Sequence, residues 1–261
     1  MKSTRARPKI VLLTRRGEMP AMLYNHLAKR CNIVQVVIEK PEPLKRFLSR
    51  RVRRLGMATV VGQVAFQGLV YPRLASEARE RIGAIKASHA LDDLAIPQTI
   101  VTYVESVNDA RVAEVLARYE HDAVVVFGTR IIGRKILESS AARFINLHTG
   151  ITPKYRGVHG GYWALVNNDM RFFGVTVHLI DQGIDTGEII AQGVISPGVE
   201  DNFVTYPYLQ LACGLPLLER AVHSVANNAL RLAPVPPKES RLWSHPTLWQ
   251  YVFYRILHSV K

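Results

Sequence analysis

Residues 144–190 read FINLHTGITPKYRGVHGGYWALVNNDMRFFGVTVHLIDQGIDTGEII. Two short apolar runs flank a loop rich in Gly, Pro and Lys/Arg. Asn146 and His148 close the first run. Asp181 and Asp185 follow the second, bracketing Gly183 and leading to Gly187. Residues two apart on a strand face the same way. Open α/β sheets present their sites at the carboxyl ends of strands. A polar pair closing an otherwise apolar strand therefore marks the place where chemistry is expected.

Working outward, residues 9–13 form a continuous apolar run, as expected of a strand covered on both faces. TRRGEMP follows, with Pro20 suited to a helix start, then a helix over 21–29 and a second strand over 33–38. This is a βαβ opening. One Gly17 is no G-x-G-x-x-G, so no dinucleotide cofactor is expected. Further strands are read at 99–103, 123–127 and 144–148. A helix between the first two is capped by Ser106 or Asn108, and a short helix covers 134–138. A helix over 158–167, a hairpin of 174–180 with 188–195, and a long helix over 202–226 complete the core. Alternation of strand and helix predicts an α/β fold, with a doubly wound, mostly parallel, Rossmann-like sheet.

Two additions stand outside this alternation. Residues 40–93 read as a helical insertion. Its first helix sets Leu44, Phe47, Leu48, Val52 and Leu55 against Lys45, Arg46, Arg50, Arg53 and Arg54, and helices over 58–70 and 73–85 follow. APVPP (233–237) is a linker, and the tail SRLWSHPTLWQYVFYRILHSVK reads as one basic, aromatic-rich helix of about four turns. The expected division is a catalytic unit over 1–230 and an extension over 231–261. The basic helices suit a membrane surface or phosphate; packing on the domain with arginines in water is the simpler expectation.

The chain has 34 Lys and Arg against 21 Asp and Glu, a formal net charge of +13. This favours anionic partners such as nucleotides, phosphosugars or an anionic membrane. Two cysteines, Cys31 and Cys213, make no disulfide framework, and no signal peptide or membrane span is read, so a cytoplasmic protein is expected.

No G-x-S-x-G and no suitably placed Cys offers a covalent nucleophile. The histidines 148, 159 and 178 with Asp181 and Asp185 match no standard metal-ligand spacing, so no metal is expected. Direct transfer remains. A carboxamide can hold a carbonyl oxygen as charge develops. An imidazole can take a proton from an attacking amine. A carboxylate can orient that imidazole. By spacing alone, Asn-x-His on a strand is more often packing with a hydrogen bond.

NLHTGITPKYRG followed by GVTVHLIDQGIDTGEII resembles the family of formyltransferases that use 10-formyltetrahydrofolate. The family pattern is met by Asn146, His148, Pro153, Tyr155, Arg156, Gly157, Thr176, Val177, His178, Asp181, Gly183, Asp185 and Gly187. A departure is Thr149–Gly150, where the family commonly has Pro after the His. The resemblance implies Asn146, His148 and Asp185 as the catalytic residues. It also implies a pterin held, largely through backbone, by Phe127, Gly128, Thr129, Arg130, Ile131 and Ile132 with Asp181 and Gly183. His178 is expected to be a hydrogen-bonded structural histidine.

Three acceptor amines are weighed. Methionyl-tRNA formyltransferases carry a further β-barrel domain, whereas 33 residues follow Asn228 here. Glycinamide ribonucleotide formyltransferases place a Gly-rich phosphate loop where this chain has TRRGEMP. Enzymes that formylate nucleotide-linked amino-dideoxysugars resemble it best. Arg15, Arg16, Lys154 or Arg156 would meet a pyrophosphate, and Tyr155, Tyr162 and Trp163 a base. The expected substrate is such a sugar, GDP-perosamine in particular, for O-antigen or other lipopolysaccharide. The expected partners are folate and the nucleotide sugar, not nucleic acid, with a homodimer and peripheral membrane contact as further expectations. The non-enzyme alternative is a basic docking protein.

Overall fold

Side chains alternate across strand β1 (Lys9–Arg15), and so do the two cores of the molecule. Ile10 and Leu12 enter one, Val11 and Leu13 the other, all fully buried. The computed structural model describes residues 7–234 and 239–261. Strands β2 (Asn32–Glu39), β3 (Val101–Val104), β4 (Ala123–Phe127) and β5 (Arg143–His148) lie parallel to β1 in the order β3-β2-β1-β4-β5. Beyond β5 the sheet continues antiparallel. One face packs on α1 (Glu18–Ala28) and α9 (Tyr206–Ala226), the other on α6 (Ala110–Arg118) and the short α7 (Arg134–Leu137). The doubly wound, mostly parallel sheet matches the expectation. The order of connection reverses between β1 and β4, and ligands of such sheets lie outside the carboxyl ends at that reversal.

The caps correct the reading in detail. Asp109, not Ser106 or Asn108, caps α6 by accepting the Arg111 N–H. Asn108 instead bonds Ile131 O at 2.9 Å and Gly133 N at 2.6 Å, holding the turn after β4. The long helix begins at Tyr206; Asn202 closes the preceding turn by accepting from Val204 N.

The insertion is a run of helices, α2 (Leu44–Leu55), α3 (Met57–Ala65), a π-turn over Phe66–Val70, α4 (Tyr71–Glu77) and α5 (Arg79–Ser88). The tail is not one helix. Residues Arg241–Trp243 form a strand, β9, pairing in parallel with β6 (Tyr155–Gly157) in a separate two-stranded sheet. After it comes α10 (Leu248–His258), opened by a Thr247–Gln250 capping box. Part of the linker APVPP lies outside the described residues. A third core joins the insertion, the loop after β5 and the tail through Phe66, Tyr155, Tyr162, Trp163, Phe203 and Tyr251. The tail is thus packed into the same body as the loop after β5.

Candidate active site

The register of the antiparallel pair β5–β7 (β7, Gly174–Leu179) sets Asn146 directly opposite His178 and His148 opposite Thr176. Opposed side chains on a ladder touch, and Asn146 and His178 do. The Asn146 amide Nδ2 lies 3.0 Å from His178 Nε2, while His178 Nδ1 lies 2.7 Å from Leu179 O. Only a protonated Nδ1 can donate to that carbonyl. Nε2 is then the acceptor for Asn146, and the carboxamide has one orientation.

His148 is buried, and its Nε2 donates to Tyr155 O at 2.8 Å. Its Nδ1 faces Asp185 Oδ2 at 3.4 Å. That distance is longer than a good hydrogen bond and leaves the edge of the ring open toward the carboxylate. Asp185 Oδ1 lies 3.6 Å from His178 Nε2, and Oδ2 accepts the Gly157 N–H at 2.8 Å. Asn146, His148 and Asp185 are therefore brought together, with His178 between the amide and the acid.

Burial lowers the His148 pKa, outweighing the attraction of Asp185, so the imidazole is neutral near pH 7. Burial works in the opposite sense on Asp185. There the pull of His148 and His178, which acts when those rings carry a proton, and the Gly157 N–H outweigh it, and the pKa falls to about 2. A neutral base beside a fixed carboxylate is suited to gaining a proton, because the resulting cation meets a negative charge.

The loops that hold these groups have identifiable ties. Asp181 accepts Gly183 N at 2.9 Å and Thr186 Oγ1 at 2.7 Å, shaping the turn that delivers Asp185 at φ 52°. Arg156 Nη1 donates to Ile184 O at 3.1 Å, and its buried Nε has no partner. Gly157 sits at φ 93°, and a Cβ there would drive into Trp243 O. A Cβ at Gly150 would drive into Tyr155 O and lie 2.7 Å from His148 Nε2, so the loop passes too close to the imidazole for any larger residue there.

After β4, Phe127 and Ile132 are buried, Gly128 and Ile131 exposed, and Thr129 half-buried. Arg130 has a structural task as well. Its backbone N–H and Nε both bond the buried Glu39 carboxylate, at 2.6 and 2.9 Å, and its Nη2 bonds Lys40 O and Glu105 O. Glu39 also accepts Val107 N at 3.0 Å. This carboxylate ties the loops after β2, β3 and β4, and Arg130 holds that framework through Nε and Nη2, leaving its Nη1 donors over. Nothing local in the sequence announces a partner 91 residues away.

The substrate-contact expectations are corrected in part. Tyr155, Tyr162 and Trp163 are buried, and none offers a face to a base. Tyr162 packs on Phe203 with ring centroids 5.1 Å apart. Trp163 stacks on Trp243 at 4.7 Å and donates to Ser244 O. Lys154 is paired with Asp169, which also accepts the Tyr155 hydroxyl. Aromatic side chains in a glycine-bounded loop read alike whether they stack on ligand or on core. Arg15 and Arg16 are exposed after β1, and Arg15 Nε donates to Gly128 O across the reversal point.

The site lies at the carboxyl edge of the sheet. An open hollow of about 500 Å³, lined by Arg7, Lys9, Tyr24 and Asn32 among others, lies at the opposite edge and does not meet it.

Residues 10–201 match the formyl transferase family. A methionyl-tRNA formyltransferase of Thermodesulfovibrio yellowstonii is 45% identical over 83 residues, 32% of this chain and 27% of that one. The chain covers less than half the length of the curated relatives it matches. Among solved structures, a phosphoribosylglycinamide formyltransferase from Anaplasma phagocytophilum superposes with a TM-score of 0.56 at 16% identity, covering 91% of this chain and 99% of that one. An N-formyltransferase from Helicobacter canadensis, solved with folinic acid and dTDP-3-aminofucose, superposes with a TM-score of 0.55 at 17% identity, covering 90% and 70%. These two likenesses share the fold. The match over residues 10–201 is what decides the family: this chain is a member of the formyl transferases.

Proposed function

We propose that this protein transfers a formyl group from 10-formyltetrahydrofolate to the amine of a nucleotide-linked amino sugar. The single observation that supports it most is the convergence of Asn146, His148 and Asp185 on one edge of β5. The formyl donor supplies the one-carbon unit; the residues described here supply positioning and proton traffic. Asn146 spends one amide N–H on His178 and keeps its other for the formyl oxygen, where negative charge grows as the amine nitrogen bonds the carbon. His148, neutral and anchored through Nε2, receives the amine proton at Nδ1, and Asp185 stabilises the cation. His148 then returns that proton to the departing nitrogen of the carrier as the old carbon–nitrogen bond breaks. Atoms and charges balance without a metal or oxidant.

The unpartnered Arg156 Nε beside the Asp185 loop suits a carbonyl or anionic group of either substrate. Phe127–Ile132, with Asp181 and Gly183, border the position for the pterin. Residues 1–230 form the catalytic unit, with 231–261 docked on it, working in the cytoplasm. GDP-perosamine, a precursor of O-antigen, is our first candidate acceptor. The Helicobacter canadensis neighbour, solved with an amino-sugar nucleotide, supports that class. The curated relatives favour a second reading, methionyl-tRNA as acceptor. One experiment separates them. Purified protein with 10-formyltetrahydrofolate is offered GDP-, dTDP- and UDP-amino sugars and charged methionyl-tRNA, and each is read by mass for an added formyl group. Formylation of an amino sugar alone is expected. Formylation of the tRNA alone replaces the sugar reading, and formylation of none removes both.

A further inference from the structure

Helix α10 is apolar on both its sides. Tyr251 is buried and Leu248 and Tyr254 half-buried on the side facing the protein. On the outside, Trp249, Val252, Phe253 and Ile256 follow the spacing i, i+3, i+4, i+7, with Leu257 beside them. Phe253 is 57% and Ile256 80% exposed. A helix apolar all round is normally covered on every side. Helix α3, against which it packs, repeats the pattern. Met57, Val61 and Val64 form an exposed stripe, while Gly62 lets the Trp249 ring in close. The two stripes together set exposed apolar side chains side by side instead of scattering them singly.

Charge says what covers it. Residues 44–65 and 248–258, which carry α2, α3 and α10, together hold seven Lys and Arg and no Asp or Glu, against a net +13 for the whole chain. Helix α2, joined to α3 through the Arg51–Gln63 hydrogen bond, exposes Lys45, Arg46, Arg50, Arg53 and Arg54. Glu42 answers two of these, Arg46 and Arg50. Gln63 in turn bonds His245 O and reaches Ser244, so α2, α3 and the start of the tail are contiguous. A second copy of the chain would bring like charges together around the apolar surface. A bilayer with anionic headgroups matches both components, and Trp and Phe settle at its boundary. No helix of the described residues is long and apolar enough to cross a membrane, so the contact is with its surface.

We propose that α2, α3 and α10 form a docking face for an anionic lipid membrane. This goes beyond the formyl-transfer reading and does not depend on it, since vesicle binding is measured without substrate. The full chain is sedimented with phosphatidylglycerol-containing vesicles and with pure phosphatidylcholine vesicles. We expect it to pellet with the former, to stay in solution with the latter, and to be released by salt. Each arginine or lysine removed weakens such binding about fivefold, so K45Q/R53Q/R54Q is expected to lose about a hundredfold. F253Q/I256Q is expected to stay in solution with a wild-type melting temperature. If that variant fails to fold, the unmodified protein still reports through tryptophan quenching by brominated lipid, because Trp249, packed over Gly62 in the seam of α3 and α10, keeps half its surface exposed. Wild-type protein that ignores anionic vesicles, binds both kinds equally, or shows no quenching overturns the proposal. So does a dimer in light scattering that F253Q/I256Q splits without any vesicle binding; the face would then belong to a second copy.

Discussion

The β5–β7 edge and the outer layer of α2, α3 and α10 depart from the ordinary distribution of residues in opposite directions. At the edge, polar groups are buried and partnered: His148, His178 and Thr176 are almost without exposure, and each is hydrogen-bonded. In the outer layer, apolar side chains face water and most arginines have no acid nearby. Burying polar groups costs free energy unless their bonds are made, and exposing apolar stripes forgoes burial. The first is what a reaction requires and the second is what a surface contact requires. The difference teaches that two tasks are separated in space, although the tail that carries α10 also braces the catalytic loop.

That contrast is open to direct attack. The largest effect belongs to the edge. His148→Asn or Asp185→Asn is expected to cut formyl transfer by about 10³–10⁴-fold while the melting temperature barely moves. Unchanged turnover would remove these residues from the chemistry. Next comes the brace. Trp243 stacks on both Trp163 and Tyr155, so Trp243→Ala is expected to cost about 3 kcal/mol in urea unfolding and to lower turnover with it. Full activity in that variant would uncouple the two regions.

His178→Ala sharpens the picture within the edge. His178 orients Asn146 and lies beside Asp185 without a place of its own in the proton transfer, so kcat is expected to fall about 10–100-fold with KM nearly constant. A rise in KM alone would mean that His178 contacts substrate instead.

The smallest effect is set by pH. His159 and His245 face each other at 2.9 Å between catalytic loop and tail. Burial holds His159 well below its ordinary pKa and brings His245 to about 4, with Arg51 and Arg15 adding to the latter. A folded-state pKa below the unfolded value means that unfolding takes up protons. The stability is present above about pH 6.5 and lost as pH falls toward 4. His245 alone accounts for about 2 kcal/mol between pH 7 and pH 5. Urea midpoints at those two values measure it. A flat profile would show that the tail is not held through neutral histidines.

Legibility in the sequence followed the same divide. The alternation of apolar runs was enough for the parallel sheet, because strands covered on both faces leave a continuous signature. Asn146, His148 and Asp185 stood out because polar residues at strand ends and between glycines have few local reasons to be there. Tyr162 and Trp163 did not declare their side, since a core and a binding face favour the same rings. Residues 241–243 were absorbed into a helix because three residues show no period, and their mate β6 lies far back in the chain. The structural task of Arg130 was hidden for a similar reason: its acid is on another strand. What depends on distant pairing is not written in neighbouring letters.

The pairing of Gly157 with Trp243 also has a consequence during synthesis. Ribosomes add about 5–20 residues each second, so β6 waits roughly 4–17 s for its mate to be polymerised. Throughout that interval the segment that supplies Tyr155 O to His148 and the Gly157 N–H to Asp185 has an open edge. A nascent chain is therefore expected to be catalytically silent and exposed to chaperones until its last helix clears the tunnel.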